Sequence, residues 1–117
     1  MKITLPKPPS TNHIYKFTSQ GGFARSYISK EGNLWFSNAG LILKSHYKTC
    51  YDGPVSFYIK LYCIRNDIDG IIKPTLDLFQ KTGIIKNDRQ VMFLQIEKII
   101  IHKAYDEKLE IELIADK

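Results

Sequence analysis

Asp67 and Asp69 stand two residues apart in the run Arg65-Asn66-Asp67-Ile68-Asp69-Gly70, Lys73 follows the second aspartate by four, and Asp88 comes later in Ile84-Ile85-Lys86-Asn87-Asp88. Carboxylates brought close together repel and raise one another's pKa, so such a group is costly unless a cation sits among them. Hard oxygen ligands with no His or Cys nearby favour magnesium or manganese over zinc or copper. Lys73 shares a face with Asp69 where a helix begins near Ile71. Carboxylates, a divalent ion and an ammonium group suit cleavage of a phosphate ester, in which charge develops on the phosphoryl and leaving oxygens. Asp67, Asp69 and Asp88 are therefore candidate metal ligands and, with Lys73, candidate catalytic residues. Spacing alone leaves open a second reading, in which Asp-x-Asp before a helix is a cap and a turn.

The elements that must position these groups follow from periodicity and punctuation. Lys2 to Leu5 is a short strand ended by Pro6, and the proline-rich run from Pro6 to Asn12 is an extended loop. Gly21-Gly22 joins His13 to Thr18 with Phe23 to Ile28 as a hairpin. Ser29 caps a helix whose buried stripe is Trp35, Ala39, Ile42 and His46, with Gly32 and Gly40 weakening it. Val55, Phe57, Ile59, Leu61 and Cys63 alternate with polar and tyrosine positions as a strand. A second helix runs from about Ile71, tolerates Pro74 in its first turn, buries either Leu76 and Phe79 or Ile72 and Leu76, and stops at Gly83. Val91 to His102 and Lys108 to Ala115 read as a long hairpin turned at Ala104 to Glu107. The expected fold class is α+β, one mixed sheet covered on one side by two helices in a single domain over residues 1–117. Strand ends and the loops leading into helices are where sites gather, so the three aspartates are expected to meet at one edge of that sheet.

Composition narrows the partners. Seventeen Lys and Arg against twelve Asp and Glu leave a net charge of +5, which favours polyanions. The arginines are Arg25, Arg65 and Arg89 and the rest of the positive charge is lysine. Lysine suits phosphate contacts better than bidentate reading of guanine, so backbone or shape recognition of nucleic acid is expected. Lys16, Lys44 and Lys48, with Arg25 and Tyr27 beside the glycine turn, are the candidate DNA-binding residues. Cys50 and Cys63 form no disulfide framework or zinc pair, which places the chain in a reducing cytoplasm. No apolar run approaches the roughly 18 residues of a membrane span, and the start lacks the apolar stretch of a signal peptide. His13, His46 and His102 lie far apart, Ser29 reads as a cap, Tyr58 and Tyr62 share the face of a strand, and Asp77 reads as solvated.

Three separated motifs resemble the RusA family of Holliday-junction resolvases: Pro8-Pro9-Ser10-x-Asn12-x-x-Tyr15, then Asp67-Ile68-Asp69 with Lys73 and Pro74-Thr75-Leu76-Asp77, then Gly83 to Val91. The likeness runs from Thr4 to about Leu113, and Arg25, Tyr27, Ser29 and Gly32 resemble the family's stretch leading into its first helix. It implies a RusA-like fold and a homodimeric, magnesium-dependent endonuclease, of a kind common in prophages, that binds four-way DNA junctions and nicks two strands symmetrically with no small-molecule cofactor. The family's essential aspartates fall on Asp67, Asp69 and Asp88 and its essential lysine on Lys73. Gly70 and Asn87 depart from the pattern, where many members carry Asn and an acidic residue. Those departures keep in view a weak or inactive branched-DNA binding module, and a nuclease for other branched DNA such as flaps and forks is a separate alternative.

Overall fold

The most apolar strand takes the centre of the sheet. In the computed structural model, which describes residues 2–20 and 22–115, β4 (Val55–Cys63) buries Val55, Phe57, Ile59, Leu61 and Cys63, as its alternation predicts. β4 is flanked by two strands that follow it in sequence, β5 (Val91–Ile100) on one side and β6 (Lys108–Ala115) on the other. β1 (Lys2–Pro6) closes the far side, giving the order β1-β6-β4-β5. β5 runs parallel to β4, with Ile59 opposite Ile96, while β6 runs antiparallel to β4, with Ile59 opposite Ile111.

This corrects the expected hairpin of β5 and β6. Both segments are strands, but β4 lies between them. The connection over 101–107 is long enough to step across an intervening strand, a distance of about 10 Å. The strand with the most apolar surface gains most from being covered by neighbours on both edges.

Two helices cover one face of the sheet. α2 (Lys30–His46) starts at Ser29, whose hydroxyl accepts a hydrogen bond from Gly32 N at 3.0 Å. α3 (Ile72–Lys81) follows a 3-10 turn over Ile68–Ile71 and ends before Gly83, which adopts φ +78. Trp35, Ala39 and Leu43 from α2 and Leu78 and Phe79 from α3 join the β4 side chains in one buried cluster, with the Phe57 and Phe79 rings edge to face at 4.8 Å. The buried stripe of α2 thus runs through Leu43 to Tyr47 just beyond the helix; His46 is exposed and Ile42 half-buried. On α3 the buried positions are Pro74, Thr75, Leu78 and Phe79, and Leu76 sits at the cluster's edge.

The proline-rich loop gives way to one helical turn, α1 (Thr11–Ile14), so the hairpin begins at Tyr15. Among the described residues β2 (Tyr15–Gln20) and β3 (Phe23–Ile28) pair only with each other, as a two-stranded sheet separate from the four-stranded one. Among the described residues no helix is long and apolar enough to cross a membrane.

Gly32 and Gly40 do not interrupt α2, and the reason differs between them. A Cβ on Gly32 would lie 2.8 Å from Ile14 Cγ2 and 3.3 Å from Ile14 Cα, so the missing side chain lets α1 lie directly on the helix. A Cβ on Gly40 would meet Thr82 Cγ2 at 3.6 Å, an ordinary contact. Gly32→Ala is expected to destabilise by about 1–2 kcal/mol through overpacking. Gly40→Ala is expected to be neutral or to stabilise by up to about 1 kcal/mol through helix propensity. Urea unfolding of both variants separates the two roles, and equal effects would remove the packing account.

Candidate functional site

β4 delivers the first carboxylates. Past Cys63 the chain leaves the sheet and is tied down before it reaches Asp67. Ile64 N donates to Glu107 Oε2 at 3.2 Å, and Lys7 Nζ donates to Asn66 Oδ1 at 2.8 Å while pairing with Glu107 at 3.1 Å. Lys98 Nζ donates to the Asn66 carbonyl at 3.2 Å. Lys7 and Glu107 are both mostly shielded, so this pair is screened less than a surface one. A second tie comes from Thr11 on α1, whose hydroxyl donates to Gly70 O at 2.8 Å.

Asp67 and Asp69 then open into a cleft of about 350 Å³ whose walls include Ser10, Thr11, Asn12, Gly70 and Lys73. Asp67 occupies the cap position of the 3-10 turn, yet its side chain makes no capping hydrogen bond. Both carboxylates are exposed, and among the described residues neither is in an ion pair. The cap-and-turn reading of Asp-x-Asp therefore fails at Asp67: the backbone closes the turn, with Gly70 N donating to Asp67 O at 3.2 Å, and the carboxylate is left to the cleft.

Lys73, on the first turn of α3, lies with its ammonium 4.4 Å from the centre of the Tyr15 ring. The Tyr15 hydroxyl donates to Asp77 Oδ2. Burial, then the Asp77 hydrogen bond and charge, push the Tyr15 hydroxyl well above the ordinary phenol range. Asp77 is thus engaged and half-buried, not solvated as the sequence suggests.

Asp88 is elsewhere. It sits in a 3-10 turn over Asp88–Gln90, before the start of β5. Because β5 is parallel to β4, the start of β5 lies beside the start of β4, and Asp67 follows the other end. The length of β4 puts about 25 Å between those ends. Among the described residues no three His, Cys, Asp or Glu side chains are grouped to hold a metal ion. The expectation that three carboxylates meet at one edge is therefore corrected within a single chain: the crossover through α3 carries Asp88 to the opposite end. There its turn is held by Asn87 Oδ1, which accepts from Arg89 N at 2.9 Å, and by Gln90 Oε1, which accepts from Asn87 N at 3.0 Å. Gln90 Nε2 also donates to the carbonyls of Tyr51 and Gly53. Asn87 thus shapes the turn that presents Asp88.

The candidate DNA contacts divide in the same way. Lys16 and Tyr27 oppose each other across the β2–β3 hairpin, which begins at Tyr15 beneath Lys73, and the side chain of Arg25 lies outside the described residues. Lys44 is exposed on the last turn of α2 and Lys48 just beyond it, three residues before Tyr51, whose carbonyl accepts from Gln90 Nε2. A wider groove of about 790 Å³ continues from the cleft past Asn66 and Asp67 to Lys7, His13, Arg65 and Lys98. Arg65 and Lys98 were not singled out by sequence; the charge of Arg65 beside the acidic motif is the signal that could have found it, whereas Lys98 is one lysine among many on a strand.

The profile of the family described as "Endodeoxyribonuclease RusA" matches residues 6–114. The chain belongs to the RusA family. It is 31% identical over 106 residues to the crossover junction endodeoxyribonuclease rusA of Enterobacteria phage 82, covering 87% of this chain and 85% of that protein. The protein of the same name from Escherichia coli (strain K12) is 30% identical over 106 residues, again covering 87% and 85%. The one from Escherichia coli O139:H28 (strain E24377A / ETEC) is 28% identical over 119 residues, covering 98% of this chain and 96% of that protein. In this RusA-family chain the matched span includes Asp67, Asp69, Lys73, Asp88 and the loop that Lys7 secures.

Lys7→Met keeps the aliphatic stem and removes the donor shared by Asn66 and Glu107. It is expected to cost about 1–3 kcal/mol, because the mostly shielded Glu107 loses its cation. Amide hydrogen exchange over 64–70 should speed up while exchange over Val55–Cys63 stays slow; unchanged exchange in that loop would remove Lys7 from its support.

Proposed function

We propose that this chain is a divalent-metal-dependent endodeoxyribonuclease that binds four-way DNA junctions as a homodimer and nicks two strands symmetrically. The observation that carries the reading is the convergence of two uncapped, exposed carboxylates and Lys73 on one cleft at the end of β4. Family membership and the printed names of the relatives support junction DNA as the substrate. The donor set fits a hard divalent cation: Asp67 and Asp69 offer oxygen only, and magnesium is commonly held by one or two carboxylates with water completing its shell. Such an ion, Mg²⁺ or Mn²⁺, would activate water and neutralise charge on the scissile phosphate. Lys73 places a positive charge at the same cleft for the phosphoryl oxygens. Arg65 and Lys98 along the adjoining groove, and Lys16 and Tyr27 on the hairpin, are positioned to meet the backbone of the junction arms.

Asp88 enters this reading through the second copy. β5 ends the sheet, so among the described residues its outer edge has no strand beside it, and Met92, Phe93 and Ile100 are exposed along it. Pairing two β5 edges antiparallel about a two-fold axis would set the start of one β5 beside the end of the other. The partner's Asp88 would then approach Asp67 and Asp69, and each site would draw on both protomers. Two such sites fit the two-fold symmetry of a junction.

Incubating the protein with a four-way junction, a fork, a flap and a linear duplex of shared sequence, in Mg²⁺, Mn²⁺ or EDTA, tests the activity. Paired metal-dependent nicks on the junction are expected, and Asp69→Asn should abolish them while leaving binding intact or tighter. Binding without nicks would mean a binding module, and faster nicking of forks or flaps would change the substrate.

Mixing Asp69→Asn and Asp88→Asn protomers tests the shared site. Each homodimer should be inactive, whereas the mixed dimer has one intact site and should yield single nicks. No recovery on mixing would place each site within one chain.

A further inference from the structure

Lys73 and Asp77 stand four apart on α3, a spacing at which a lysine and an aspartate ordinarily pair along the helix surface. Here they do not: among the described residues Lys73 is in no ion pair. The Asp77 carboxylate is taken by the hydroxyl of Tyr15, from the first position of β2, and the Lys73 ammonium lies over the face of that same ring at 4.4 Å. A tyrosine face attracts a cation through its quadrupole, more strongly where water is partly excluded. One side chain therefore acts on both members of the pair, holding the cation on its face and its natural counter-ion on its edge.

We propose that Tyr15 is a positioning residue for Lys73, keeping the ammonium free at the acidic cleft by carrying it on the ring and by occupying the Asp77 carboxylate that would otherwise draw it back along the helix. The inference rests on Lys73 acting at the phosphate, the role given to it above. Tyr15 suits the task because its hydroxyl stays protonated and so remains a donor to Asp77. Phenylalanine would keep the ring and release the carboxylate; leucine would lose both.

The experiment uses the full chain and compares Tyr15→Phe, Tyr15→Leu, Asp77→Asn, the Tyr15→Phe/Asp77→Asn double variant and Lys73→Ala. Single-turnover nicking of a four-way junction is followed in Mg²⁺, junction binding in EDTA, and the Lys73 side-chain methylene resonances by NMR without metal. Tyr15→Phe should slow nicking about tenfold with junction affinity unchanged. Adding Asp77→Asn should restore the rate to within about twofold, because a neutral amide no longer captures the lysine. Tyr15→Leu should be at least as slow as Tyr15→Phe. The ring-current shift of Lys73 should be present in the unmodified protein, diminished in Tyr15→Phe, recovered in the double variant and absent in Tyr15→Leu.

A Tyr15→Phe enzyme as fast as the unmodified one would overturn the proposal, and so would a double variant no faster than Tyr15→Phe. Full activity in Lys73→Ala would instead sink the role of Lys73 at the phosphate, while the resonances would still decide whether Tyr15 and Asp77 govern where the ammonium sits.

Discussion

A parallel ladder cannot be closed by a tight turn, so the pairing of β4 with β5 obliges the chain to cross from the end of one strand to the start of the other through an intervening element. α3 is that crossing, and its position decides much else. Its first turn lies at the exit of β4, which sets Lys73 beside Asp67 and Asp69. Its far end lies at the entrance of β5, which sends Asp88 away from them. The same pairing leaves β5 at the border of the sheet with one edge unpaired among the described residues. Site, separation and open edge are three results of one strand direction.

The acidic loop gains its order from outside itself. Neither Asp67 nor Asp69 holds the local backbone with its side chain; that work falls to Lys7, Thr11, Lys98 and Glu107, which come from the start of the chain, α1, β5 and the connection before β6. Groups that must accept a cation or face a phosphate cannot also serve as the loop's internal ties, since each bond made within the protein is lost to the ligand. The division of labour explains why a short polar segment with few apolar anchors can still present two like charges into one cleft.

What could be read from the residues depended on whether the signal was local. β4 was legible because its apolar alternation is strict, and the Ser29 cap and the stop at Gly83 because their chemistry is contained within a turn. Asp67, Asp69 and Lys73 were legible as a set because all three lie within seven positions of one another and one helix start brings them together. Periodicity says that β5 and β6 are strands and nothing about which neighbour each will choose, so the hairpin was a natural error: consecutive strands usually pair, and here β4 displaced that pairing. The distance from Asp69 to Asp88 was hidden for the same reason. Gly32 looked like a weakness of α2 when judged by propensity and is a contact point when judged by what lies against it. Asp77 looked solvated because its partner Tyr15 is distant in sequence, and no pattern confined to α3 could show it.

The hairpin of β2 and β3 stands apart from the main sheet, and its foot is fastened firmly. Ser29 donates its backbone N–H to Ile14 O at 2.8 Å and its hydroxyl to His13 O at 2.6 Å, and Ile14 is wedged against Gly32. A lone two-stranded ribbon is marginally stable in water, so this one draws its order from that fastening. Tyr15 is the first residue of β2 as well as the ring beneath Lys73, so the ring on which the ammonium rests stands at the anchored end of the ribbon, within two rungs of the exposed Phe17 and Tyr27.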